Sequence, residues 1–257
     1  MAHEGDYGIP VGAREKLIVA LDVSGANEAK AIVRDLDNAV SFYKIGPHLL
    51  LDPDLHNLIR DLKDRSKDIF LDFKAFDIPA TVEGAVRAAA AVGVKFITVV
   101  GQQQIVRAAV KARGKSPLQI LVVTLLTYLN QEDLRREYHC DIPIDTFILE
   151  RAMFASDNNC DGVISSAREV RLISENIKRD DFIIVTPGIR PADSAADDQK
   201  RVATPYNAIS NGANYLVVGR PIIYSRKPRR EAALDILREM QAALDSKQTP
   251  SRQRAYA

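Results

Sequence analysis

The chain has 257 residues, a length that fits one large α/β barrel or two small domains, and its 46% hydrophobic and 27% charged residues exclude a disordered body. Its 35 Lys and Arg against 34 Asp and Glu leave a net charge of +1, so no bulk charge draws it to nucleic acid or an anionic membrane. Cys140 and Cys160 are too few for a disulfide scaffold and read as free thiols, and the four histidines form no HxH or HExxH pattern for a metal.

In chain order, the apolar runs are residues 17–22 (LIVALD), 40–46 (VSFYKIG), 68–74 (DIFLDFK), 95–100 (KFITVV), 118–127 (LQILVVTLLT), 161–166 (DGVISS), 182–188 (FIIVTPG) and 214–220 (NYLVVGR). They are rich in Val, Ile and Leu and barely alternate, as strands buried on both faces do. Helical spacing lies between most of them, at 81–92, 105–112, 169–177 and 206–212, the last ending on Gly212. GQQQ at 101–104 suggests a helix start, although plain polar surface is the favoured reading. The longest gap, after the fifth strand, holds a polar helix at 130–138 and an amphipathic one at 144–155. A final helix is expected over 229–244.

About eight strand–helix units predict an α/β fold, a single (β/α)8 TIM barrel spanning 1–257 as one domain. Its core runs from about residue 15 to 245, with a loose lead-in of about 14 residues and a polar C-terminal tail. A doubly wound open sheet is the competing arrangement, weakened by the lack of GxGxxG after the first strand. No apolar run approaches the ~20 residues of a membrane span. The N-terminus has no apolar signal-peptide core. A soluble, cytoplasmic protein is expected.

In such a barrel the chemistry collects at the C-terminal strand ends. Asp22 ends the first strand, Lys44 the second, Asp72 and Lys74 the third; Thr127 follows the fifth, Arg190 the seventh, and Gly219 and Arg220 end the eighth. Asp72 and Lys74 are two apart on a strand and share a face, with Phe73 on the other. Asp77 lies just past that strand, and Pro79 marks the next helix start. Such alternating charges are either an ion-pair network sealing the barrel top or a reaction site. Gly219 and Arg220 in VGRP suit a phosphate, since glycine lets backbone N–H groups approach and Arg adds a bidentate clamp; an ordinary turn is the other reading.

Together these residues resemble the orotidine 5'-monophosphate decarboxylase family, in its bacterial form, from about residue 17 to 244. LDFKAFDIPATV (71–82) is similar to that family's Asp-x-Lys-x-x-Asp-Ile-Pro-x-Thr segment, and VTPGIRP, DDQKRVATP and VVGRPI follow in matching order. The resemblance implies loss of CO2 from C6 of an orotate ring, with no cofactor and no metal. It implies that Lys74 is the proton donor and Asp72 the carboxylate beside the substrate carboxylate. Lys44 becomes the second lysine and Asp22 a ribose contact. Asp77 and Thr81 reach into the neighbouring subunit's site of a homodimer. Thr127 contacts the pyrimidine, and Arg190, Gln199, Gly219 and Arg220 the nucleotide and its phosphate. The loop 190–199 is expected to act as a lid. In one departure, VVGQQQ (99–104) stands where many members carry His-Ala-x-Gly-Gly. The competing readings are a metal-dependent sugar-phosphate decarboxylase or synthase of the same superfamily, and a non-catalytic UMP-binding barrel.

Overall fold

The structure, a computed structural model, describes residues 9–191 and 202–248. Eight parallel strands pair in chain order and close on themselves: β1 (Leu17–Ala20), β2 (Phe42–Ile45), β3 (Asp68–Ala75), β4 (Phe96–Val100), β5 (Gln119–Val123), β6 (Gly162–Ile164), β7 (Ile183–Thr186) and β8 (Tyr215–Val218). The last ladder joins β8 back to β1, so the sheet is a barrel and not an open doubly wound sheet.

Around it run α1 (Val11–Arg14), α2 (Ala26–Leu36), α3 (Pro47–Leu50), α4 (Leu55–Asp64), α5 (Pro79–Val92), α6 (Gln103–Arg113), α7 (Gln131–Tyr138), α8 (Ile144–Asp157), α9 (Val170–Asn176), α10 (Pro205–Ser210), α11 (Arg220–Ile223) and α12 (Arg229–Gln248). Their starts and stops follow local chemistry. Pro79 opens α5, where its missing N–H costs nothing, and Gly93 closes it at φ +74°. Asn130 and Asp133 form a reciprocal capping box at the start of α7.

Two apolar layers result. One lies between strands and helices; the other fills the lumen with Ile18, Phe42, Phe70, Phe96, Leu121, Ile183, Val185 and Val217. Residues two apart on each strand therefore face the lumen, and the charged strand ends stack directly above an apolar plug.

Two expectations need correction. The lead-in is not loose to residue 14: residues 11–14 form α1, Ala13 is fully buried, and its N–H donates to Gln241 Oε1 on α12 at 3.1 Å. The fifth strand stops at Val123, not at 127, because Leu125, Leu126 and Thr127 turn over the barrel mouth and line a cavity instead of pairing. The helices α2 and α4, whose charged faces mask their apolar stripes, were not set out from the sequence. Cys140 and Cys160 are unbridged, and burial pushes the Cys160 thiol up to about 12. Among the described residues no helix is long and apolar enough to cross a membrane.

Candidate active site

A cavity of about 540 Å³ opens at the C-terminal end of the barrel. Its floor is the top of the apolar plug: Ala20, Phe70, Ile164 and Val217. One wall is charged and comes from the first three strands. Lys44 Nζ donates to Asp22 Oδ1 at 3.0 Å and lies 3.3 Å from Asp72 Oδ2; Lys74 Nζ lies 2.9 Å from the same Asp72 oxygen. The order Asp22–Lys44–Asp72–Lys74 gives every charge an opposite neighbour, which is what burial of such groups demands.

The environments of the two lysines differ. Burial alone would push the Lys44 ammonium down, but the Asp72 and Asp22 carboxylates override it and hold it above the usual lysine value. Burial alone would likewise raise the Asp72 carboxyl. The Lys44 and Lys74 charges, with hydrogen bonds from Lys74 and Thr98, instead hold it below the usual carboxylate value. The Lys44 side chain is 10% exposed and clasped between two acids, whereas that of Lys74 is 37% exposed, with one acid at 2.9 Å and its other side toward the cavity. Of the two, Lys74 is the better placed to give a proton to a bound molecule.

The local backbone explains how β3 delivers this pair. Asp72 and Lys74 do share the cavity face, as alternation predicts, and Phe73 is half-exposed. The strand is not regular there. Leu71 pairs with Ile97 and Ala75 with Val99, so four steps along β3 match two along β4. Asp72, Phe73 and Lys74 thus bulge opposite Thr98 alone. Lys74 adopts φ +50°, a left-handed conformation that costs a non-glycine residue about 1–3 kcal/mol. Bulges of this kind re-aim side chains beside active sites.

Two residues that shape the charged file escaped the sequence reading. Thr98, fully buried, accepts the Lys74 N–H at 2.8 Å and donates to Asp72 Oδ1 at 3.0 Å. Gly46 lies so close to the charged file that a Cβ there would stand 2.8 Å from Asp22 Oδ1 and 3.3 Å from Lys44 Nζ. A side chain at position 46 would crowd that ion pair, and the Asp22 carboxylate would have to shift. Neither signal was visible in one sequence: Thr98 reads as an ordinary strand residue and Gly46 as a strand-end turn.

The rest of the cavity wall comes from the loops after β7 and β8, through Gly188, Arg190, Gly219 and Arg220, and Gly219 lies close to Asp22. Gly188 has φ +75°, a turn most side chains resist. Buried Arg190 is tied by its N–H to the Ala203 carbonyl at 2.9 Å and by Nη1 to the Ile189 carbonyl at 2.9 Å. Gly219 precedes the short α11, whose first residue is Arg220. Thr127 also lines the cavity, as do His48 and Tyr224 at its mouth, which the sequence reading did not single out.

Asp77 and Thr81 are exposed and do not line this cavity. In the same segment Phe76 (67% exposed) and Ile78 (66% exposed) also face solvent, and Phe73 is half-exposed. Gln199 and most of the 190–199 loop lie outside the described residues. The departing segment 99–104 ends β4 and begins α6, and none of its residues lines the cavity. Among the described residues no group of three or more His, Cys, Asp and Glu side chains is arranged to hold a metal ion.

The family model described as Orotidine 5'-phosphate decarboxylase / HUMPS family matches residues 15–234. The chain is 44% identical over 243 residues to the orotidine 5'-phosphate decarboxylase of Nitrobacter winogradskyi, covering 95% of this chain and 98% of that one. It is 46% identical over 230 residues to the protein of the same name from Caulobacter sp. strain K31, covering 90% and 99%. Among solved structures it is similar to the orotidine 5'-phosphate decarboxylase of Lactobacillus acidophilus, with a TM-score of 0.75 and 34% identity over 88% of this chain and 98% of that one.

Proposed function

This chain belongs to the orotidine 5'-phosphate decarboxylase / HUMPS family, and from that premise we propose that it converts orotidine 5'-monophosphate to UMP and CO2 without metal or cofactor. The observation that carries this reading is the paired file Asp22–Lys44–Asp72–Lys74, which ends in Lys74 on the wall of a cavity that Arg190 and Arg220 also line.

The C6–carboxylate bond breaks, CO2 leaves, and the bonding pair stays on C6. A ring carbon with that charge needs fixed positive charge beside it, and preorganised groups supply this more effectively than water. Lys74 then gives an N–H proton to C6 and is reprotonated from solvent. Lys44 keeps its proton and holds Asp72 in place. Asp72 also repels the substrate carboxylate. At ~4 Å and an effective dielectric of ~20 that repulsion is about 4 kcal/mol. Enzymes typically lower barriers by about 8–23 kcal/mol, so repulsion is a minor contributor. Binding of the distant phosphate by Arg190, Gly219, Arg220 and Gln199, with the ribose on Asp22 and the ring on Thr127, orients C6 against Lys74.

The active unit is a cytoplasmic homodimer in which Asp77 and Thr81 complete the neighbour's site. The exposed side chains of Phe76 and Ile78 in the same segment are compatible with this, since burial against a second subunit would cover them. Mixing Lys74→Ala with Asp77→Ala chains should restore some activity; no recovery despite confirmed subunit exchange would mean that each site is built within one chain.

The primary test follows the ultraviolet band of orotidine 5'-monophosphate with purified protein in EDTA. The band should disappear with wild type and persist with Lys74→Ala. Persistence with folded wild type overturns the reading. Recovery on adding magnesium to sugar phosphates would point to metal-dependent chemistry, and tight UMP binding without CO2 release to a non-catalytic barrel.

A further inference from the structure

We infer that Thr98 is a positioning residue for the reacting pair, through a single hydroxyl that holds both Lys74 and Asp72. The inference rests on the role proposed for Lys74. It starts from the ladder: Thr98 is the one β4 residue facing a three-residue bulge of β3, where regular strand pairing is broken. A backbone N–H released by a bulge and buried needs another acceptor. The Lys74 N–H finds the Thr98 Oγ1 at 2.8 Å, at the residue whose φ of +50° the rest of the strand does not favour.

The same oxygen donates its proton to Asp72 Oδ1 at 3.0 Å. A hydroxyl has one proton to give and lone pairs to accept with, so both bonds form at once. The consequence for Asp72 is directional. With Oδ1 pinned to Thr98, Oδ2 is left to face Lys74 at 2.9 Å and Lys44 at 3.3 Å. The carboxylate cannot rotate without losing one of these contacts. Lys74 is therefore fixed at both ends, its backbone by Thr98 and its ammonium by an oxygen whose orientation Thr98 sets. Thr98 is fully buried and does not line the cavity, so it acts through Lys74 and Asp72 and touches no substrate.

The test compares Thr98→Val, which keeps the shape and loses the hydroxyl, with Thr98→Ser, which keeps the hydroxyl and loses the methyl. Misplacement of a reacting group by ~1 Å can cost about 100-fold, so kcat for orotidine 5'-monophosphate should fall at least about tenfold in Thr98→Val. KM should stay within about threefold, because the phosphate end on β7 and β8 is untouched. Thr98→Ser should return kcat to within about threefold of wild type. Amide hydrogen exchange gives a readout independent of turnover. The Lys74 amide should exchange faster in Thr98→Val but not in Thr98→Ser, while amides of the β7–β8 ladder keep their protection.

If Thr98→Val does not fold, Thr98→Ala takes its place in both measurements. Wild-type kcat in the hydroxyl-free variant overturns the inference. So does a Thr98→Ser enzyme as impaired as Thr98→Val, or a Lys74 amide equally protected with and without the hydroxyl. A wild-type protein with no decarboxylase activity overturns the proposed function instead, and the exchange measurement still decides whether Thr98 holds Lys74.

Discussion

Strands β2, β3 and β4 each carry an aromatic ring into the lumen and, two residues on, a polar group: Phe42 then Lys44, Phe70 then Asp72, Phe96 then Thr98. In the lower layer Phe96 packs against Phe42 with centroids 5.0 Å apart and edge-on against Tyr215 at 5.2 Å. Those contacts are additive burial, and each ring contributes on its own. In the upper layer nothing contributes alone. Lys44 is tolerable because of Asp22 and Asp72, and Asp72 because of Lys44, Lys74 and Thr98. The difference shows how one lumen divides its work. The lower layer supplies stability that the upper layer uses, in backbone strain at Lys74 and in desolvated charge. The upper layer holds the groups that react.

The separation is broken or sharpened by substituting one layer at a time. The largest effect is expected from Lys74→Ala. A general acid contributes about 10²–10⁴-fold and a preorganised charge about 10²–10³-fold, so turnover should drop by at least about 10⁴. UMP binding should remain measurable and the protein folded, because Asp72 keeps Lys44 and Thr98 as partners. Near-normal turnover in steady-state assays would remove Lys74 from the chemistry.

Phe96→Ala is the converse. Truncating a fully buried phenylalanine typically costs about 3–5 kcal/mol, read as a loss in denaturant or thermal unfolding. At a temperature where the variant is folded, kcat should stay within about threefold of wild type, as for loss of an interaction the transition state does not use. A large fall in kcat with little loss of stability would show that the plug is part of the catalytic machinery.

A smaller effect is expected at Arg220, on the β8 side of the cavity. Arg220→Ala should weaken UMP by about 10–100-fold, the equivalent of about 1.5–3 kcal/mol for a hydrogen bond to a charged group. Uridine should be nearly unaffected. Equal losses for nucleotide and nucleoside, measured by calorimetry, would take the phosphate away from Arg220.

The layers also differed in legibility. The plug strands were plain because Val, Ile and Leu run almost without break where both strand faces are buried, as in residues 17–20 and 183–185. Asp22, Lys44, Asp72, Lys74, Arg190 and Arg220 were plain because charge at the end of an apolar strand is conspicuous and a barrel gathers strand ends. What the sequence hid depends on register and close approach. The β3 bulge has no composition cue, so nothing marked Thr98 as the residue facing it. Gly46 matters for the 2.8 Å a Cβ would leave to Asp22, a distance between strands that no spacing along one strand reveals. Leu125 and Leu126 read as strand because they are apolar, yet they leave the ladder to wall the cavity.

The finest expected difference between the layers is in acid. Asp72 has a folded value held below that of a free carboxyl, so it binds fewer protons folded than unfolded. Its contribution to stability is then fully present above about pH 3.8, the free carboxyl's value, and is lost as pH falls through the lower folded value. Lys44 is the mirror case: its contribution is present below about pH 10.5 and is lost as pH rises through the raised folded value. The plug has no charge to titrate. Melting temperatures of wild type and Asp72→Asn should therefore converge as pH drops below about 3.8, while the gap between wild type and Phe96→Ala stays constant over the same range. An Asp72→Asn gap that ignores pH would mean that the carboxylate is not held charged by its lysines, and the argument for a paired file of charges would fail at its centre.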